Sequence, residues 1–403
     1  MTRVYEHAYP GIDPVPPLTG QSARTVSIPD YLAKIQATNE NTLSEIGTYM
    51  HGATVVANAY YGGVYSPTQN RIYLVPYRQS DEANWHYIDC ATGEVVAYPH
   101  GFVVADGMYN GGVYSPTQDR IYFVPYIGAT ETEWHYIDCK DGSVHEYTHG
   151  ATAVTNAYIG GVYSPTQNRI YFVPTNQASE ADWHYIDCSD GSVVPYTHGA
   201  TAVTAAYFGG CYSPTQNRIY FAPYKQGPEA DWHYIDCSDG SVVPYPHGAT
   251  VNTNGYQGCS YSPVQNRIYF APAGQAPADD WHYVNCDDGL IVPYVHGATV
   301  TGGMYAGSVY NPTQNRIYFI PYAGADEVVW QYVDCDDGSI VAYTHGPTAV
   351  NLAYWGGVFS PTEDRIYFMP YGQAGEADWH YLQIFGAADV SRQLAAHACF
   401  DKL

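Results

Sequence analysis

One 49-residue unit recurs seven times along the chain, with no insertion or deletion between copies. Tyr-Ser-Pro marks it at Tyr65, Tyr114, Tyr163, Tyr212 and Tyr261, then continues as Tyr310-Asn311-Pro312 and Phe359-Ser360-Pro361. His-Gly keeps the same step at His51, His100, His149, His198, His247, His296 and His345. Trp keeps it at Trp85, Trp134, Trp183, Trp232, Trp281, Trp330 and Trp379. A unit of this length buries its apolar faces only against its neighbours, so the fold has to be an array or a ring of like units.

Within a unit, four short segments rich in aromatic and β-branched residues are bounded by turn residues. In the first copy they are 59–66 (AYYGGVYS), 71–77 (RIYLVPY), 85–90 (WHYIDC) and 95–100 (VVAYPH). Between them lie Pro67-Thr68-Gln69-Asn70, a variable polar loop at 78–84 and a turn around Thr92-Gly93. No apolar stripe of helical period runs through the units. Four strands per unit at this period predict an all-β fold, a seven-bladed β-propeller. Gly62-Gly63 fall in the innermost strand, where crowding at the axis, or a bulge, favours small residues.

The two ends of the repeat array indicate how the ring closes. The seventh copy supplies only three strands, 353–360, 365–371 and 379–384. The segment 46–52 (IGTYMHG) matches the fourth-strand pattern of 95–101 and precedes the first copy. It is expected to complete the seventh blade, which removes two open sheet edges. Three regions result: an extension at 1–41 with a Pro-rich start and a short helix near 29–37, the propeller at 42–384, and a C-terminal helix within 385–403.

A length of 403 residues would ordinarily suggest two or three domains, but one closed ring absorbs it. Apolar residues at 46% and charged residues at 13% provide for a large core and argue against disorder. The formal net charge is −24, and seven of only 15 Lys and Arg occupy one repeat position. Nucleic acid and anionic membranes should be repelled. A cationic partner or a bound cation remains compatible, although no specific Ca²⁺ motif occurs. The first residues contain no apolar signal region, and no stretch approaches 18 apolar residues. Six of nine cysteines recur at one position: Cys90, Cys139, Cys188, Cys237, Cys286 and Cys335. Equivalent positions in neighbouring blades lie too far apart for disulfides, so these are expected to be small, reduced, apolar strand residues. That usage fits folding in a reducing cytosol, with or without later incorporation into a particle.

Two stretches resemble known propeller repeats. Ser-Pro-Thr-Gln-Asn-Arg-Ile-Tyr is similar to the Ser-Pro-Asp-Gly-Lys-x-Ile-Tyr hairpin of TolB-like and WD-type repeats. Residues 87–96, Tyr-Ile-Asp-Cys-Ala-Thr-Gly-Glu-Val-Val, resemble the Ile-Asp-x-x-Thr-Gly-x-Val stretch of YVTN-type repeats. The resemblance covers residues 42 to about 384 and departs in its Thr-Gln-Asn turn and its Trp-His pair. It implies the propeller fold and little about activity, because these superfamilies host unrelated functions.

The candidate site residues follow from the repeat. Each copy has two His, such as His86 and His100, except where Gln331 stands in one of the places. Counting outward from a Thr92-Gly93 turn pairs Trp85 with His100 and His86 with Pro99. The two His then point to opposite faces and share no metal, and a Trp–His contact across the hairpin is expected. Arg71, Arg120, Arg169, Arg218, Arg267, Arg316 and Arg365 recur beside third-strand acids such as Asp89, which suggests a structural Arg–Asp brace. A ring of Arg gripping an anionic ligand is the alternative.

The second-to-third-strand loop varies most and is acidic in every blade. With the neighbouring Trp and His it forms the candidate binding face: Glu82, Trp85, His86; Glu131, Trp134, His135; Glu180, Trp183, His184; Glu229, Trp232, His233; Asp279, Trp281, His282; Asp326, Trp330; and Glu376, Trp379, His380. Every polar marker occurs six or seven times, and no single convergent catalytic set stands out. The expectation is therefore a non-catalytic structural or protein-interaction module, such as a virion component. A multivalent glycan-binding or attachment protein with one weak site per blade is the alternative, and an enzyme with a central-channel site the minority reading.

Overall fold

The structure is a computed structural model that describes residues 44–384. The helices expected near 29–37 and within 385–403, and the extensions that carry them, lie outside the described residues. Seven four-stranded antiparallel sheets make the seven blades. In the first blade the strands are Tyr60–Ser66, Arg71–Pro76, Asn84–Asp89 and Glu94–Pro99, each within a residue or so of the sequence expectation. The N-terminal strand Ser44–Met50 pairs with Asp378–Ile384 and completes the sheet built from Tyr354–Ser360 and Arg365–Pro370. Its closure is chemical as well as topological. His51 stacks on Trp379 at 4.1 Å, and its Nε2 donates to the Glu376 carbonyl at 2.7 Å.

The second strand of each blade is almost wholly buried, because both of its faces pack against neighbouring blades. Ile72, Tyr73, Leu74 and Val75 are completely covered. The third strand contributes Trp85 and its six equivalents, all at 0% exposure. Burying one such large side chain contributes roughly 1.5–3 kcal/mol or more. The outer strand mixes exposed and half-buried residues and alternates from Val96 to Pro99, as a strand with one solvated face should.

The innermost strands meet at the axis through glycine. Every blade has a register shift after its first paired residue, such as between Tyr60 and Gly63, so a bulge and axial crowding coincide. Gly62 has φ +91, and a Cβ there would lie 3.5 Å from Gly111 Cα; at Gly258 the distance to Gly307 Cα would be 2.9 Å. The same relation runs on to Gly356, which faces Gly62, and the ring is complete.

Two belts join the blades. The first hairpin turn ends on Asn or Asp in the left-handed region, such as Asn70 at φ 53 and Asp119 at φ 55. After glycine, Asn and Asp adopt this backbone most readily, which accounts for their recurrence at this place. The same residue accepts a hydrogen bond from the preceding blade: Thr68 Oγ1 donates to Asp119 at 2.7 Å, and Thr362 to Asn70 at 2.8 Å across the closure. Val264 replaces this threonine in the fifth blade. In the second belt, recurring thiols meet the preceding blade, Cys139 lying beside Ser66 and Cys90 beside Ser360. Burial pushes both thiols up to about 11, which keeps them protonated.

The third-to-fourth hairpin corrects the expected register. Trp85 lies opposite Tyr98 and His86 opposite Ala97, two residues from the sequence count. The turn is longer than Thr92-Gly93 alone, because Cys90 bonds back to the Asn70 carbonyl at 3.0 Å and Gly93 to the Asp89 carbonyl at 2.7 Å. A slip of two preserves the faces, so Trp85 still meets His100 across the hairpin.

Candidate functional site

Each recurring His is engaged inside its own blade. The Tyr60 hydroxyl bonds Nδ1 of His86 at 2.7 Å, and the same pairing joins Tyr256 to His282 at 2.5 Å. In the sixth blade Gln331 takes the place of His and accepts from Tyr305. Burial pushes His86, His135, His184, His233 and His282 down to about 4, so they are neutral imidazoles. The second His stacks on Trp, as His100 does on Trp85 at 4.1 Å, and donates Nε2 to the Glu82 carbonyl at 2.5 Å. Among the described residues, no three His, Cys, Asp or Glu side chains come together as a metal-ligand set.

The expected binding face therefore divides. Trp85, Trp134, Trp183, Trp232, Trp281, Trp330 and Trp379 lie in the core, and His86, His135, His184, His233, His282 and His380 are buried beside them. Glu82, Glu131, Glu180, Glu229, Asp279, Asp326 and Glu376 are exposed. In the fifth and sixth blades the true equivalents of Glu82 are Ala278 and Glu327, whose carbonyls accept from His296 and His345.

The seven Arg are structural in a different way from the expected brace. Each guanidinium lies over the third-strand Tyr two residues before the recurring acid, from Arg71 on Tyr87 at 4.2 Å to Arg365 on Tyr381 at 4.4 Å. An ion pair with the recurring acid forms between Arg316 and Asp334 at 3.8 Å, whereas Arg365 bonds Glu363 at 2.9 Å and Gln383 at 2.5 Å. The planar cation prefers the ring because the acid turns outward to cap its own turn, as Asp89 does for the Ala91 amide at 2.9 Å. Arg71 also abuts Gly142 in the next blade's turn, where a Cβ would lie 3.5 Å from Nη1 and 2.9 Å from the Tyr73 hydroxyl.

What remains free of such duties is the mouth of the axis. The residue after the invariant inner Tyr differs in every blade: Tyr61, Asn110, Ile159, Phe208, Gln257, Ala306 and Trp355. Tyr60 pairs with Pro76, so this residue sits beside the end of the second strand, next to Tyr77 and the acidic loop that follows. Tyr77, Tyr126, Thr175, Tyr224, Ala273, Tyr322 and Tyr371 form the accompanying set. Tyr61 stacks on Tyr77 at 3.8 Å and on Trp355 at 4.6 Å, and its ring lies 4.9 Å from that of Tyr371. Trp355 meets the edge of Tyr322 at 5.1 Å. On the other side Phe208 stacks on Tyr224 at 3.8 Å. The Tyr126 and Tyr322 hydroxyls both feel those of Tyr224 and Tyr371, and burial pushes Tyr322 up to about 12. Asn110, 2% exposed, leaves Nδ2 without a partner, and Gln257 leaves Oε1 without one. Below this layer the glycine ring, with Cys259 and Ser308, lines an axial cavity of about 200 Å³.

Sequence reasoning missed this mouth, although its signal was present: a position that never repeats within a strand that otherwise does. The arrangement offers half-exposed aromatic faces, two amide atoms without partners and a surrounding acidic rim. It suits recognition of a partner group by stacking and hydrogen bonding.

No family model matches the chain, and no curated protein matches it. Solved structures share its fold. The extracellular domain of a hybrid two-component system from B. thetaiotaomicron matches at TM-score 0.57 and 9% identity, over 84% of this chain. This chain spans 40% of that domain's length. YCF48 bound to D1 peptide matches at 0.57 and 7%, covering 84% of this chain and 94% of that one. The WD40 repeats of RRP9 match at 0.56 and 8%, covering 84% and 97%. At such identities the likeness shows the fold, a seven-bladed β-propeller with WD40-type structural neighbours.

Proposed function

We propose that this propeller is a non-catalytic protein-interaction module that takes a segment of its partner at the axial mouth, with the acidic loops around it. The observation that carries the reading is the divergence of Tyr61, Asn110, Ile159, Phe208, Gln257, Ala306 and Trp355 within a near-invariant strand. Packing explains identical residues in seven identical places; it does not explain seven different ones at the same place. The recurring His, Trp and Arg are occupied inside the blades, so the groups that usually carry catalysis are engaged in structure. A propeller of this fold, YCF48, has been solved with a peptide bound, which supports the class of partner. A setting in a larger assembly, of which a virion is one form, accords with this reading. For a glycan site in each blade, the buried Trp and His of the expected rim are out of reach, which leaves the acidic loops and surface tyrosines to form it.

The test is affinity capture from the native source with wild-type protein, the Tyr61→Ala/Trp355→Ala variant and Val264→Thr as a distant control. The reading expects a protein partner held by wild type and by Val264→Thr and lost from the mouth variant. Equal capture by all three would refute it. Hits on a glycan array with Ca²⁺, lost in the mouth variant, would move the site to a carbohydrate ligand.

A further inference from the structure

Two inner-strand positions face each other across the blade boundaries. At several boundaries a valine methyl of one blade lies over a glycine of the next. A Cβ on Gly112 would sit 2.9 Å from Val64 Cγ2, and one on Gly161 2.9 Å from Val113 Cγ2. Valine and an added β-carbon cannot share this close-packed space, so a change on one side demands a change on the other. Two boundaries carry such a double change. Between the fifth and sixth blades the pair is Ser260 and Ser308, whose hydroxyls are 2.9 Å apart. Between the fourth and fifth, Cys211 and Cys259 occupy the same two positions, and their thiols are close enough to act on one another electrostatically.

Relief of crowding alone would accept Ala or Ser opposite Cys259; a second thiol there is the chemically specific choice. The serine pair shows that γ atoms at these positions converge, as the short Cβ–Cβ separation of a disulfide requires. Cys259 also lines the axial cavity, which gives a small oxidant a route to it. The recurring cysteines differ: Cys139, for example, faces Ser66 and no second thiol.

We propose that Cys211 and Cys259 form a reversible disulfide that ties the inner strands of the fourth and fifth blades, with a small peroxide as oxidant. One thiolate attacks the peroxide O–O bond, becomes a sulfenic acid and expels hydroxide. The other thiolate attacks that sulfur, forms the S–S bond and expels the second hydroxide. The two thiol protons convert both to water, so two thiols and one peroxide give one disulfide and two waters. Burial and the neighbouring thiol hold the Cys259 thiol well above its ordinary range, so the reaction should quicken as pH rises.

The test treats the full chain with hydrogen peroxide, blocks remaining thiols with an alkylating agent and maps peptides without reduction. The expected result is one linked pair containing Cys211 and Cys259, released by a thiol reductant, and a Tm higher by roughly 5 °C in the oxidised form. The Cys211→Val/Cys259→Gly variant restores the pairing of other boundaries, so it should fold and show neither the link nor the redox-dependent Tm. Alkylation of both residues after peroxide treatment, or their over-oxidation without a link, would overturn the proposal.

Discussion

The Tyr60 hydroxyl lies 2.7 Å from Nδ1 of His86, and both side chains are buried in the first blade. The pair recurs in five other blades, and Tyr305 with Gln331 completes the set. Glutamine keeps the acceptor while losing the titration, which shows that the hydrogen bond, not protonation chemistry, is what the position provides. His86→Gln should therefore change stability little. Tyr60→Phe should cost about 1–3 kcal/mol, because it strands a buried imidazole nitrogen. Chemical denaturation of the two variants checks the contrast.

The same histidines make the fold acid-sensitive. Five of them are pushed from 6.5 down to about 4 by burial. The unfolded chain takes up their protons near 6.5 and the folded chain near 4, so their contribution is intact above 6.5 and is lost as pH falls through this window. Tm should decline across it, and a variant with His86, His135 and His184 changed to Gln should decline less. Identical slopes for the two proteins would contradict the assignment.

Met108 and Gly128 form a second coupled pair. A Cβ on Gly128 would lie 2.4 Å from Met108 Cγ, and Met304 stands to Gly324 in the same way. The first and third blades carry Ala59 with Gln79 and Ala157 with Gln177 at these places, where Gln79 accepts from the Val56 amide at 3.1 Å. Gly128→Gln alone should destabilise by overpacking, about 1–3 kcal/mol, and Met108→Ala alone by leaving a cavity. The double variant restores the alternative solution, and a double-mutant cycle should show a favourable coupling of about 1–3 kcal/mol.

Val264 interrupts the threonine belt and is 63% exposed. Val264→Thr should donate to Asn315 as Thr215 does to Asn266 at 2.8 Å. A gain of about 0.5–1 kcal/mol in denaturant titration is expected. Thr166→Val should lose a comparable amount, because the 2.7 Å bond to Asn217 goes.

Much of this molecule was legible in the repeat. An invariant 49-residue step fixes seven like blades, and the orphan segment before the first copy identifies the strand that closes the ring. Arg71 shows where such reading stops. Its spacing from Asp89 suggested an ion pair, but the choice between carboxylate and the Tyr87 ring depends on which way Asp89 turns, and its own turn captures it. Trp85 looked like a rim residue because it abuts an acidic loop, yet alternation along the strand sends it inward against His100. The axial mouth escaped notice for the opposite reason. Repetition drew attention to what is shared, and the recognition proposed at Tyr61 and Trp355 rests on what is not.

The central claim is that a partner segment is held at the axial mouth. Hydroxyl-radical footprinting of the native complex against the free chain tests it most directly, read at Trp355, Tyr77, Tyr126, Tyr322 and Phe208. The account expects these residues to be protected together in the complex, with Val264 at the far turns oxidised equally in both states. Unchanged oxidation at the mouth, with protection confined to the outer strands or the opposite turns, would contradict it.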